Sequence, residues 1–252
     1  MSSLETSSLE TLCQQFLSYL EAKFSFKLNI KPDAISHALV HPSYAHEKSL
    51  LTSYEKLEFL GDSIVNAIVT TSLFERFSEE SEGTLSRLRA ALVSTDSLSH
   101  LAQAINLEQY LCVTGLKVQE YKKNNSKTLG RAFEALIGAL FLELGFDQCR
   151  NLLLKVFDCW EELNQQSWFD KERLLSVDVK SILQEKLHAR GLHNPQYIMI
   201  EHHKKNTKDE FIMALMIDQK EIARAEGNSK KEAEKLVAKK ILDNWLLIEE
   251  MR

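Results

Sequence analysis

Chain breakers are scarce in this protein: its 252 residues hold only three prolines (Pro32, Pro42, Pro195) and eight glycines. That excludes a loop-rich or collagen-like architecture and predicts long helices. Cysteine is sparse as well. Cys13, Cys112, Cys149 and Cys159 form no Cys-x-x-Cys pair and no compact framework, which argues for reduced thiols and a cytoplasmic protein. Long apolar runs are missing too. The longest strongly apolar one, residues 135–142, stops at Glu143, far short of the roughly 20 residues of a membrane helix. The opening Met1-Ser2-Ser3-Leu4-Glu5 has neither the basic nor the apolar region of a signal peptide. A soluble protein without a membrane partner is expected. Positive charge is not in excess, because 31 Lys and Arg face 36 Asp and Glu for a net charge of −5. The charge is uneven, though: residues 1–175 carry −6 and residues 176–252 carry +1. Basic side chains in that charge-dense tail can still gather on one face. No glycine-rich phosphate loop, Ser-His-Asp order or Cys-His pairing is present.

What is present is helical periodicity. From Leu12 to about Trp160 apolar residues recur at three-and-four spacing. The pattern predicts helices near 9–23, 31–40, 53–77, 83–90, 94–105, 108–121 (broken), 127–144 and 146–164. The Ser-Ser-Leu-Glu-Thr doublet at 2–11 reads as a frayed end, not an architectural repeat. A polar stretch follows, and the texture then changes. A short helix near 179–190 leads into strand-like runs at 197–203, 210–217 and 221–226. Gly227-Asn228-Ser229 then opens a lysine-rich helix to about 247, with Ser229 a plausible cap. The expected architecture is an all-α domain over 10–160, a linker at 161–176, and a small α+β domain (α-β-β-β-α) over 177–247.

Two segments carry acids in unexpected places. In Tyr54-Glu55-Lys56-Leu57-Glu58-Phe59-Leu60-Gly61-Asp62-Ser63, a helical wheel at 100° per residue puts Glu55, Glu58 and Asp62 on one stripe. Leu57, Leu60, Ile64 and Ile68 fall on another. Alone, such an acidic stripe reads as a solvated face. The second segment, residues 129–141, is apolar nearly all round and so reads as a buried helix, with Glu134 at its middle. A buried carboxylate must be paired, protonated or bound to a cation. A salt bridge to Arg131 or to a neighbouring helix is one reading. A hard-metal site shared with the first stripe is the other: carboxylate oxygens suit Mg²⁺, and its chemistry would be metal-assisted phosphodiester hydrolysis. Gly130 and Gly138 flank Glu134 at four-residue spacing and would let another helix approach closely.

At these residues a resemblance emerges. Glu55-Lys56-Leu57-Glu58-Phe59-Leu60-Gly61-Asp62-Ser63 resembles the signature of ribonuclease III. His41-Pro42-Ser43-Tyr44, Leu88-Arg89-Ala90-Ala91-Leu92-Val93 and Phe133-Glu134-Ala135-Leu136-Ile137-Gly138-Ala139 extend the similarity. With the tail it covers about residues 10–247. The resemblance implies an all-helical endonuclease domain acting as a homodimer, each subunit cutting one strand of double-stranded RNA. Products would carry 5′-phosphates, 3′-hydroxyls and short 3′ overhangs, and the substrates would be rRNA precursors and other structured RNAs. It implies Mg²⁺ as cofactor with Glu58 and Glu134 as ligands, and Asp62 and Glu134 as catalytic acids. Glu55 is implied as a supporting acid at the dimer interface or the RNA valley. His41 and Tyr44 match an early motif and read as packing or hydrogen-bonding elements.

One position departs from the resemblance. Where the family carries Asp, three residues before the buried Glu, this chain has Arg131. A guanidinium neither ligates Mg²⁺ nor sheds its charge. Three readings are open: Arg131 swings outward and a three-carboxylate site still cuts; it contacts the scissile phosphate; or it abolishes metal binding and leaves a double-stranded RNA-binding protein without cleavage. A guanidinium within about 4 Å of both Glu58 and Glu134 would favour the last. An outward rotamer beside an open acidic pocket would favour the enzyme.

The tail resembles a double-stranded RNA-binding domain, most specifically through Gly227-Asn228-Ser229-Lys230-Lys231-Glu232-Ala233-Glu234. Free N–H groups at a helix start beside Lys230, Lys231 and Lys235 make a phosphate cradle. Leu236, Val237, Ile241 and Trp245 are expected against the sheet. The resemblance implies Gln184, and His188 with it, in the RNA minor groove, read by shape. Lys204-Lys205-Asn206-Thr207-Lys208 replaces the family's usual Gly-Pro-x-His loop, which leaves the role of His202 and His203 open. Lys122-Lys123-Asn124-Asn125-Ser126-Lys127 reads as a solvated loop, with contact to RNA phosphate the other reading.

Overall fold

The computed structural model describes residues 3–50, 52–114, 126–175, 179–205 and 208–249. Two compact units divide the chain, Met1–Asp170 and Lys171–Arg252.

The first unit is helical: α1 (Ser3–Phe24), α2 (Pro42–Glu47), α3 (Glu55–Arg76), α4 (Glu82–Leu92), α5 (Thr95–Ala104) and α6 (Ser126–Asn164). Its centre is α6, which packs on α3 and on α5. From Thr128 to Leu140 every residue of α6 is buried except Arg131. That bears out the reading of a helix apolar nearly all round. Serine caps fix the neighbouring helices, since Ser81 and Ser94 accept from Thr84 N–H and Ser97 N–H. Gly145 (φ 74°, ψ 177°) breaks α6 into the two helical stretches that the sequence predicts on either side of it.

Other expectations need correction. The helix expected at 31–40 is two single 3₁₀ turns, Pro32–Ile35 and His37–Leu39. Backbone pairing with Cys112 ends them: Cys112 N–H donates to Leu39 O at 2.7 Å and His41 N–H to Cys112 O at 3.0 Å. Near 108–121 the described residues contain only a 3₁₀ turn, Leu107–Gln109, and 115–125 lie outside them, with most of the Lys122–Lys127 run. Helix α1 begins at Ser3, taking in the doublet read as frayed.

The core face of α3 also differs from the wheel. Gly61, Val65, Ile68, Val69, Ser72 and Leu73 are buried, whereas Leu57, Leu60 and Ile64 are only half-buried. The packed face therefore lies about 90° round from the predicted aliphatic stripe. The consequence is chemical: Glu58 and Asp62 border the face that meets α6 instead of standing opposite it. By length and hydropathy α3 alone among the described helices could cross a membrane, yet it is a core helix of this unit.

Past α6 the chain keeps packing on the first unit inside the stretch read as linker. Trp168 stacks on Phe157 (5.9 Å, 9°) and meets Trp160 edge-on (4.8 Å).

The second unit has α7 (Lys171–Leu175), α8 (Val179–Ala189), β1 (Gln196–Lys205), β2 (Lys208–Ile217), β3 (Lys220–Gly227), α9 (Lys230–Asp243) and α10 (Leu246–Glu249). Its antiparallel sheet has order β1-β2-β3. Val179, Leu183 and Leu187 of α8 share one core with Leu215, Ile217, Val237, Ala238 and Ile241. This is the expected α-β-β-β-α pattern. The last helix stops at Asp243 instead of running to 247, turns at Asn244 and resumes as α10. Ser229 caps α9 as predicted: its Oγ accepts from Glu232 N–H at 3.2 Å, and Glu232 Oε2 accepts from Asn228 N–H at 2.7 Å. The Ser229 cap is worth about 1 kcal/mol.

Candidate active site

A glycine crossing builds the site. Where α3 meets α6, a methyl added to Gly61 would lie 1.7 Å from Glu134 O, and one added to Gly138 would lie 2.4 Å from Leu57 O. Neither position tolerates a side chain, so the two backbones touch. Both glycines flanking Glu134 thus serve the close approach read from the sequence, Gly138 against α3 and Gly130 against α5, where an added methyl would lie 2.3 Å from Thr95 O. The missed partner is Gly61, the glycine between Glu58 and Asp62.

This crossing brings Glu55, Glu58, Phe59, Asp62, Arg131 and Glu134 together around one open pocket of about 400 Å³. A larger cavity, about 1020 Å³ between α1 and the 3₁₀ turns, is lined by none of these acids. Glu134 is only 8% exposed and has no hydrogen-bond partner among the described residues. Burial first, then the charges of Asp62 and Glu58, pushes its carboxyl up to about 7, with Arg131 opposing. Glu58 is raised by its own burial, and Arg131 again opposes. Asp62 is exposed and accepts from Asn66 Nδ2 at 3.0 Å. Glu55, also exposed, accepts from Ser53 Oγ at 2.9 Å.

Arg131 meets one of the two conditions that would favour a non-cutting protein. Its Nε lies 3.5 Å from Glu58 Oε1, and it forms no ion pair with Glu134; its side chain is 57% exposed. The salt bridge imagined between Arg131 and Glu134 is therefore made to Glu58 instead.

The donor set suits a hard divalent cation: four carboxylates at one pocket, one of them, Glu134, buried without a hydrogen-bond partner among the described residues. Among the described residues, no three His, Cys, Asp or Glu side chains converge as they stand closely enough to hold a metal. Arg131 draws on Glu58 and Asn66 on Asp62. Mg²⁺ asks less, since it keeps several waters and is commonly held by one or two carboxylates. The residues fit it.

Glu134 also yields a stability prediction. Its carboxyl titrates near 7 when folded and near 4.5 ordinarily, so between those values the folded state holds a proton that the unfolded state has released. The associated stability is complete below pH 4.5 and is lost as pH rises through 7, on the order of 3 kcal/mol in all. In metal-free buffer Glu134→Gln should therefore be more stable than the native chain at pH 8 and no more stable at pH 4.5. Urea unfolding at both pH values checks this.

His41 is structural, as expected. Its Nδ1 accepts from Ser43 N–H at 3.0 Å, capping α2, and its ring meets Tyr54 edge-on at 5.5 Å.

In the second unit Gln184 and His188 are exposed on α8, and Lys230 and Lys231 are exposed on the first turn of α9, with Lys235 half-buried one turn on. Val237, Ile241 and, partly, Trp245 pack on the core as expected, while Leu236 is 41% exposed and does not. His202 stacks on Phe211 across the strands (4.3 Å, 8°) and pairs with Asp209 at 3.5 Å. His203 pairs with Glu201 at 2.8 Å. Residues 206–207 and the side chains of Lys204, Lys205 and Lys208 lie outside the description.

Comparison with known proteins gives concordant results. Residues 31–158 match the Ribonuclease-III-like family and residues 179–244 match the double-stranded RNA binding motif. The chain is 32% identical to Ribonuclease 3 of Syntrophomonas wolfei over 94% of its own length and 96% of that protein. It is 35% identical to Ribonuclease 3 of a Sulfurovum species over 90% and 96%. A solved nuclease domain of ribonuclease III from Campylobacter jejuni, described for flexibility in its dimer-forming region, superposes with a TM-score of 0.51 at 32% identity. That match covers 58% of this chain and 96% of the other.

Proposed function

The chain belongs to the ribonuclease III family of double-strand-specific endoribonucleases, and on that premise we propose that it hydrolyses duplex RNA with Mg²⁺ at the pocket formed by Glu58, Asp62 and Glu134. The carrying observation is Glu134: a carboxylate buried in an apolar helix, without a hydrogen-bond partner among the described residues, lining a pocket with three further acids.

Glu58 and Glu134 would hold the ion. When bound, Mg²⁺ would supply an activated water and stabilise charge on the scissile phosphate. Asp62 stands at the solvent side of the pocket, where its carboxylate can accept a hydrogen bond from an approaching water. Glu55, tied to Ser53, adds negative charge at the pocket's edge. Cleavage leaves a 5′-phosphate and a 3′-hydroxyl.

Two copies acting together would cut both strands with a short 3′ overhang. Support for a homodimer comes from the face of α3 that leaves Phe59 and Phe74 81% and 71% exposed. A symmetric pair is the common way to cover such a face. The substrates are rRNA precursors and other structured RNAs, and the four free cysteines suit a cytoplasmic location.

The second unit clamps the duplex. Lys230, Lys231 and Lys235 meet phosphates at the start of α9, and Gln184 reads the minor groove by shape. Replacing Lys230 and Lys231 together by Ala should weaken duplex binding about equally for unrelated sequences and flatten its log–log salt dependence by about two units. Filter binding between low and moderate salt checks this; an unchanged slope would remove both lysines from the interface.

The pairing of Arg131 with Glu58 favours a second reading, an RNA-binding protein with impaired cleavage. Incubation of a uniformly labelled duplex and its single strand with the protein, in Mg²⁺ or in EDTA, separates the two. The proposal expects cutting of the duplex alone, in Mg²⁺ alone, with 5′-phosphate ends. Retained binding without cutting selects the second reading.

A further inference from the structure

The cation charge that the acidic pocket can accept is set by Arg131. Four carboxylates line it, from Glu55, Glu58, Asp62 and Glu134, and one guanidinium stands among them. With all five ionised the pocket carries three net negative charges, and one divalent ion leaves a single negative charge. A second would make the pocket positive while standing beside a guanidinium that cannot lose its proton. Its contact with a carboxylate is long, Nε at 3.5 Å from Glu58 Oε1, and its side chain is 57% exposed, so its full charge counts in that sum. The same contact draws on Glu58, one of the carboxylates that would hold an ion. Glu134, buried and without a hydrogen-bond partner among the described residues, keeps its oxygens available for one ion.

We infer that this pocket takes a single divalent cation per chain, and that Arg131 is the fixed positive charge that keeps a second one out. The inference rests on the metal-site reading above. It sets the chain apart from nucleases that clamp the phosphate between two ions, and it assigns a role to a side chain that no ligand chemistry explains.

The test counts ions without asking for turnover. Mn²⁺ is titrated into the full-length chain without RNA, and free ion is followed by electron paramagnetic resonance. The native protein should bind one Mn²⁺ per chain at this pocket, and Arg131→Asp, which changes the pocket's charge by two units, should bind two. Arg131→Gln removes the charge without adding a carboxylate; it should tighten the first ion by about tenfold or more. Circular dichroism checks that each variant is folded, and the exposed position of Arg131 makes both substitutions tolerable. Two ions in the native protein, or one in Arg131→Asp with no tightening in Arg131→Gln, would overturn the inference. The Glu134→Gln protein should lose the ion. An ion retained there would place it elsewhere and overturn the metal-site reading, and the inference with it.

Discussion

Glu134→Gln should reduce cleavage of duplex RNA by at least about 10²-fold while leaving duplex binding unchanged. The substitution keeps the shape of the side chain and removes one charged oxygen donor from a pocket built around it. Loss of a partner that merely orients a metal ligand costs 10- to 100-fold, and losing a ligand's charge costs no less. Binding should survive because the lysines of α9 lie in the other unit. Glu134→Gln should also be more stable than the native chain above pH 7 without metal, since burial opposes the native charge. Loss of activity in a stabilised protein could not be assigned to unfolding. If Glu134→Gln cuts as fast as the native chain, the buried carboxylate is structural and the site is elsewhere.

Gly61→Ala should be the most damaging single methyl in the first unit. The added carbon would lie 1.7 Å from the carbonyl oxygen of Glu134 and 3.0 Å from Gly138 N. Both are backbone atoms of a long buried helix, so relief requires α3 and α6 to separate. We expect a loss of about 3 kcal/mol or more and a fall in Tm of roughly 10 °C. Because the same crossing sets where Glu58 and Asp62 stand relative to Glu134, any folded fraction should also cut poorly. Gly83→Ala is the control. Its methyl would meet only the end of the Arg87 side chain, at 4.0 Å, and alanine favours the helix. Equal Tm values for Gly61→Ala and Gly83→Ala, by differential scanning calorimetry, would mean that the crossing does not hold the site.

Much of this architecture is legible in the sequence because few residues compete with helix. Apolar periodicity gives α1 and α3–α6, and the run from Thr128 to Leu140 announces a buried helix whose one carboxylate demands explanation. The lysine-rich start at Ser229 gives α9 and its cap. The failures have physical causes. Backbone pairing of Leu39 and His41 with Cys112, distant in sequence, replaces a helix at 31–40 by tight turns. A hydropathy wheel counts glycine as neutral, so it misses Gly61 as the point of closest approach and turns the core face of α3 aside by about a quarter-turn. The acids appear opposite the core when they border it. Spacing alone could not orient Arg131 either. Spacing within α6 points it at Glu134, three residues on, whereas the carboxylate that captures it, Glu58, belongs to a helix some seventy residues earlier.

A pocket of four carboxylates with Arg131 among them is expected to cut duplex RNA. That expectation is tested most directly by incubating a long duplex with the native chain and with Arg131→Asp, side by side in Mg²⁺, and resolving the products on a denaturing gel. The native chain should cut. A native chain that binds the duplex and leaves it intact, while Arg131→Asp cuts it, would contradict the account and identify the protein as a ribonuclease III scaffold kept for binding RNA.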